Sequence, residues 1–323
     1  MMPDDSIPSE LQPRAQDYPF DLERTLSAIV GVRAHIPEDG FTVSALGTER
    51  AGSGSVIDVT GLVLTIGYLI MEAETIWLTT IDGRAVPGHA LAYDTETGFG
   101  LVQALGRLGL PALEFGDSAT LSIGEAMILA AAGGRGQTVR TQLVGRQYYA
   151  GYWEYLLEDA LYTAPHHPNW GGAGLIDREG RLVGIGSLVL HQRVSEERSL
   201  GLNMVVPIDA LKPILDPLRR YGRVDRPPRP WLGLHASEQE DAVIVHGVTR
   251  GGPAHLAGIR LGDRILAVGD EPVGDLRELW LAVWATGSAG ATVRLQIGRG
   301  TEQLDFAVAS QPRERFLRRP PLQ

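Results

Sequence analysis

Cysteine is absent from the 323 residues. That excludes a disulfide framework, a thiol nucleophile and a cysteine-ligated metal. Lysine is almost absent too: Lys212 stands alone, and positive charge is otherwise carried by arginine. The formal net charge of −10 repels phosphate backbones, so nucleic acid is not an expected partner. No apolar run is long enough to cross a bilayer as a helix. Residues 1–18 are polar and acidic, without the basic start or apolar centre of a signal peptide. A cytoplasmic location is therefore expected, or a periplasmic one if the N-terminus is processed. Neither a metal nor another cofactor is expected, because the His166-His167 pair lacks a carboxylate at ligand spacing.

What is present is apolar material for two cores, 44% of residues, and 40 glycines suited to a turn-rich β protein. Residues 1–19 read as a flexible arm, disordered or loosely docked on its own domain. Leu22, Leu26, Ile29 and Val30 follow with helical spacing. Short β-rich runs separated by Gly and Asp turns then recur to about residue 208, among them Gly54–Val59, Leu62–Thr65, Ala126–Ala131 and Arg181–Leu188. Val206–Arg220 reads as a helix with an apolar stripe at Ile208, Leu211, Ile214, Leu215 and Leu218. Proline and arginine make 221–230 a linker. A second unit spans 231–310, and 311–323 is a basic tail.

In the second unit, Trp231-Leu232-Gly233-Leu234 precedes Gly251-Gly252-Pro253-Ala254-His255-Leu256-Ala257-Gly258-Ile259 and Leu261-Gly262-Asp263-Arg264-Ile265-Leu266-Ala267-Val268. In order and spacing these resemble the carboxylate-binding loop, short helix and following strand of PDZ domains. The resemblance implies a groove in which backbone N–H groups of a loop hold a terminal carboxylate and the ligand adds as a strand. Trp231, Leu232, Gly233 and Leu234 would form the loop, with Leu279 and Val283 as the opposite wall.

Residues 25–215 resemble the trypsin-like domain of HtrA/Deg proteases. The resemblance rests on Ala51-Gly52-Ser53-Gly54-Ser55-Val56-Ile57-Asp58, on Thr60-Gly61-Leu62-Val63-Leu64-Thr65 and on Leu110–Ser118 with its Gly116-Asp117-Ser118 end. It implies a trypsin-like double β-barrel domain, 20–220, followed by a smaller α+β PDZ domain, mainly β in all. The family's base, carboxylate and nucleophile fall at Tyr68, Gly98 and Gly171. A phenol with a reference pKa of about 10 is a poor base, and glycine carries no functional group. Asn169, Trp170, His167 and Ser187 are the other residues of the expected cleft.

These features lead to the expectation of a non-enzyme: a catalytically inactive HtrA-like protein binding peptides or unfolded proteins with apolar C-termini. The alternatives are a serine endopeptidase with a rearranged active site and a structural subunit with a closed groove. The resemblance further implies a homotrimer built on Tyr18-Pro19-Phe20. Residues 148–155 hold five aromatics, read either as barrel packing or a subunit contact, or as a recognition surface.

Overall fold

The computed structural model describes residues 7–193, 199–240 and 242–318. The chain divides into two compact units, and the division is not a single cut: Tyr148–Glu158 belongs with the second unit, Asp225–Leu317.

The first unit contains two closed six-stranded antiparallel barrels. One is built from β1 (Ile29–His35), β2 (Glu49–Asp58), β3 (Leu62–Ile66), β4 (Thr75–Thr79), β5 (Ala85–Tyr93) and β6 (Phe99–Ala104), in the order β1-β2-β3-β6-β5-β4. The other comprises β7 (Ala126–Ala130), β8 (Thr138–Gly151), β9 (Tyr155–Ala164), β10 (Gly174–Ile176), β11 (Leu182–Arg193) and β12 (Ser199–Pro207), in the order β10-β11-β12-β9-β8-β7. Alternation along β4, exposed at Thr75, Trp77 and Thr79 and buried at Ile76 and Leu78, places one face inward. β3 is buried throughout, as a strand covered on both faces must be. The turn from β2 to β3 follows from its residues: Asp58 accepts from the Thr60 N–H and hydroxyl, and Gly61 takes a positive φ of 89°.

One expectation is narrowed within this unit and one is corrected. Of the arm expected to be disordered or loosely docked, residues 1–6 lie outside the described residues and 7–19 are docked: Ile7 is buried in the second barrel's core and its N–H donates to Gly136 O, while Leu11 O accepts from Arg140 N. The Phe20 ring lies over Gly180. The helix expected over Val206–Arg220 is only Leu215–Tyr221, because β12 runs on to Pro207, with Val205 and Val206 paired to Gly186 and Ile185. Pro213 then disfavours helical geometry at Lys212.

The second unit has a sheet of β13 (Leu234–Gln239), β14 (Ala242–Val248), β15 (Arg264–Val268), β16 (Glu271–Pro272), β17 (Thr292–Arg299) and β18 (Glu302–Ala309). The order is β13-β14-β15-β17-β18, with β16 beside β15. The helix Leu276–Ala285 starts at Asp275, whose carboxylate accepts from Glu278 N at 2.7 Å. It buries Leu279, Trp280 and Val283 against Leu232, Leu234, Val245, Ile265 and Leu295. The segment expected to be a tail begins inside this unit: Gln311 and Trp231 exchange backbone hydrogen bonds, and Phe316 packs on the Trp231 ring at 4.7 Å. Its last residues, 319–323, lie outside the described residues.

Candidate functional site

In the first unit the structure brings Tyr68, Gly98 and Gly171 together. Tyr68 sits in the short helix Gly67–Ile70 that ends β3, and Gly67 N donates to Gly98 O at 2.6 Å. The Tyr68 hydroxyl donates to Ser187 O at 2.9 Å. Burial drives the phenol's pKa well above its usual value, and a hydrogen bond with the Trp170 indole offsets this only in part. A Cβ built on Gly171 would stand 2.8 Å from that hydroxyl oxygen, so the phenol fills the space a side chain at 171 would need. The turn is locked from below: Ser53 N donates to Gly171 O at 2.8 Å and Gly172 N to Gly186 O at 2.9 Å.

His167 is fully buried and engaged at both ring nitrogens. Asn169 N donates to Nδ1 at 2.8 Å, and Nε2 lies 3.1 Å from Gln137 O, which selects the neutral tautomer protonated on Nε2. Asn203 fixes the preceding segment, accepting from His167 N and donating to Thr163 Oγ1 and Pro165 O. Asn169 is exposed, with its side chain on Gln137, and Trp170 is half-buried. His167 therefore builds the turn and has no lone pair left for a hydroxyl.

Burial lowers the His167 pKa, the Gln137 carbonyl opposes this, and His166 adds to it. Its stabilising contribution is present above about pH 6.5, the unfolded value, and is lost as pH falls through the lower folded value. Between pH 7.5 and 5.5 the parent protein should lose stability relative to His167→Gln, read as the difference in urea midpoint. A parallel pH dependence in the two proteins would mean that His167 titrates freely.

In the second unit, the N–H groups of Leu232, Gly233 and Leu234 converge on one carboxylate. It belongs to Glu154. Its Oε1 accepts from Gly233 N at 2.6 Å and Leu234 N at 2.8 Å, and its Oε2 accepts from Leu232 N at 3.0 Å. Gly233, at φ 75°, allows the backbone turn that aims these donors. Burial pushes the Glu154 carboxyl up to about 7, against the pull of the three N–H groups and of Arg313. Leu279 and Val283 are fully buried in the unit's core, and Trp231 packs on Phe316. Of the four residues expected to form the carboxylate loop, Leu232, Gly233 and Leu234 donate to Glu154, whereas the Trp231 N–H donates to Gln311 O; an occupant from the chain itself was not expected. The available signal was an acidic residue inside the aromatic run 148–155, where both readings considered only the rings. Among the described residues no cluster of three or more His, Asp or Glu suits a metal.

The family description "Trypsin-like peptidase domain" matches residues 52–185 and "PDZ domain" matches 230–309. Serine endoprotease DegS of Salmonella typhimurium is 28% identical over 91% of this chain and 85% of its own length. Putative serine protease HhoA of Synechocystis is 27% identical over 80% of this chain and 69% of its own. A Pseudomonas putida relative named a probable periplasmic serine endoprotease, DegP-like, is 26% identical over 82% of this chain and 57% of its own. Among solved structures, the HtrA-type protease AlgW with a decapeptide superposes with a TM-score of 0.54 at 20% identity, over 93% of this chain and 98% of that one. These relatives overturn the expectation of a non-enzyme: they are named serine endoproteases, and the likeness points to a protease family.

Proposed function

From the premise that this chain is an HtrA-type protein, a trypsin-like peptidase domain joined to a PDZ domain, we propose that it works by recognising polypeptide C-termini through the loop Trp231–Leu234. The observation that carries this reading is the convergence of the Leu232, Gly233 and Leu234 N–H groups on a single carboxylate. Backbone donors held in a turn are worth most to a charged acceptor, and a chain terminus supplies one next to an extended backbone that pairs with a sheet edge. The peptides bound by the related AlgW structures support the same reading. So does the periplasmic description of the DegP-like relatives for a periplasmic location, in place of the cytoplasmic one.

A fluorescent peptide ending in a free apolar residue should bind the full chain, and its C-terminal amide should bind at least about tenfold more weakly, since the loop loses its charged acceptor. Gly233→Val should remove binding, because even a Cβ there meets Thr249 at 3.0 Å and Trp231 at 3.1 Å. Equal binding of acid and amide in fluorescence anisotropy would overturn carboxylate recognition.

For the peptidase unit we propose that positions 68, 98 and 171 correspond to the family's base, carboxylate and nucleophile. Gly171 offers no hydroxyl, so serine chemistry here would draw on another residue. Ser187, whose carbonyl takes the Tyr68 phenol, neighbours the same turn. A fluorophosphonate adduct that maps to Ser187 and disappears in Ser187→Ala would assign that role; an adduct elsewhere would reject it.

A further inference from the structure

The carboxylate of Glu154 does not reach the loop alone. It arrives at the end of a short stretch of backbone that is itself bound. Gly151 O accepts from the Trp280 indole at 2.9 Å, a buried contact. Two residues before Glu154, Tyr152 O accepts from Ala236 N of β13 at 3.0 Å. Ala150 packs on the unit's core. Glu154 itself is held at φ 61°, a left-handed conformation that is uncommon outside glycine. Strain of this kind persists where surrounding contacts over-determine it. Here the contacts are those that deliver the carboxylate to the three N–H groups. The aromatic neighbours brace the same tip: the Trp153 ring stacks on Tyr155 at 5.6 Å and meets Tyr152 edge-on at 4.8 Å.

Backbone pairing with the first strand and a carboxylate in the loop, here with the single residue Trp153 between them, are the elements by which an extended C-terminus is recognised. We infer that residues 151–154 are a built-in ligand of this loop, the Glu154 side chain standing in for a terminal carboxylate, and that a polypeptide C-terminus binds by displacing them. The inference rests on the carboxylate-recognition reading above and deepens it. The loop is a receptor that is filled by its own chain, so the apparent affinity for any C-terminus is its intrinsic affinity reduced by the fraction of molecules in which the tip has left.

Two measurements on the full chain separate this inference from its parent reading. The first needs no peptide. Hydrogen exchange at Leu232, Gly233 and Leu234 should be slow in the parent protein and at least about tenfold faster in Glu154→Ala, the factor expected from losing a buried hydrogen bond to a charged group. Unprotected amides in the parent protein, or unchanged protection in Glu154→Ala, would overturn the built-in ligand whatever peptides do. Glu154→Gln, which keeps shape and loses charge, should fall between the two and guards against a folding defect in the alanine variant.

The second measurement is anisotropy with a labelled decapeptide ending in free valine. Glu154→Ala should bind it about tenfold or more tightly than the parent, because the internal competitor is gone. The amide of the same peptide should bind each protein at least about tenfold more weakly than the acid. Equal acid binding by parent and variant would sink the competition while leaving C-terminal recognition standing. Loss of acid binding in both proteins, with the exchange protection intact, would sink C-terminal recognition and the displacement with it.

Discussion

Arg50→Met lowers the stability of the first unit by about 3–5 kcal/mol, read as the shift in its urea unfolding midpoint. The size follows from what the guanidinium holds. Arg50 is 4% exposed. One of its terminal nitrogens donates to Tyr68 O at 2.7 Å and Met71 O at 3.1 Å, and the other to Thr42 Oγ1 at 2.7 Å. The Thr42 hydroxyl donates in turn to Glu72, which also accepts from Phe41 N, Thr42 N and Arg318 N. Burial alone would raise the Glu72 pKa, but these donors outweigh it and hold the group below its ordinary value, so it stays charged. Burial lowers the Arg50 pKa and the Glu72 charge opposes that. A methionine fills the volume of the arginine stem but orphans three carbonyls, among them Gly47 O, and leaves a buried carboxylate without its counter-charge. Adding Glu72→Gln should recover part of the loss, because the uncompensated charge goes with it. A double variant no more stable than Arg50→Met would show that the orphaned carbonyls, and not the charge, carry the cost. The network bears on function because it fixes the segment that presents Tyr68 to the turn at 171.

How much of this could be read beforehand depends on how far each feature lies from its cause along the chain. The β2–β3 turn was legible because Asp58, Thr60 and Gly61 are neighbours and the chemistry is local. The turn at Leu232–Leu234 was marked in the sequence for the same reason, by Gly233 and its apolar neighbours. Its occupant was not, since Glu154 precedes it by 78 residues and lies in the midst of what reads as barrel sequence. Nothing in a hydrophobic pattern says that 148–158 leaves its barrel to fold with the second unit. The helix expected at 206–220 failed differently. Val206, where that helix was expected to start, suits a helix or a strand equally well, and its pairing with Ile185 of β11 decides for the strand. The docking of Ile7 was hidden because two apolar residues, Ile7 and Leu11, in a polar stretch are too few to establish a period, and the backbone bonds to Gly136 and Arg140 that hold the segment leave no mark in the sequence. At 68, 98 and 171 the residue types were plain in the sequence. That the phenol occupies the space above Gly171 was not, because it depends on where the helix Gly67–Ile70 points.

The two glycines of that turn look alike in sequence and should behave oppositely. Gly172 lies at φ 77°, and a Cβ on it would fall 1.9 Å from Ser53 O and 2.6 Å from Thr65 Oγ1. The obstacle at Ser53 is backbone of β2, held at that residue by its pairing with Gly31 of β1 and by the Thr65 hydroxyl on its carbonyl, so it is not free to move aside. Gly172→Ala should therefore cost about 4 kcal/mol or more, in the range reserved for overpacking combined with backbone strain. Gly171 differs in both respects. Its φ is not positive, and the atom its Cβ would meet at 2.8 Å is the hydroxyl at the end of the Tyr68 side chain. Gly171→Ala should cost about 1–3 kcal/mol by displacing the phenol from its bond with Ser187 O. Tyr68→Phe removes the obstructing oxygen at the cost of that hydrogen bond, about 1 kcal/mol. The two changes should therefore couple favourably, with a double variant about 1 kcal/mol more stable than the sum of the single losses predicts. Additive losses in the chemical-denaturation cycle would mean that the phenol does not fill the position above Gly171. Near-equal losses for Gly171→Ala and Gly172→Ala would mean that the turn yields as a whole and that β2 does not brace it.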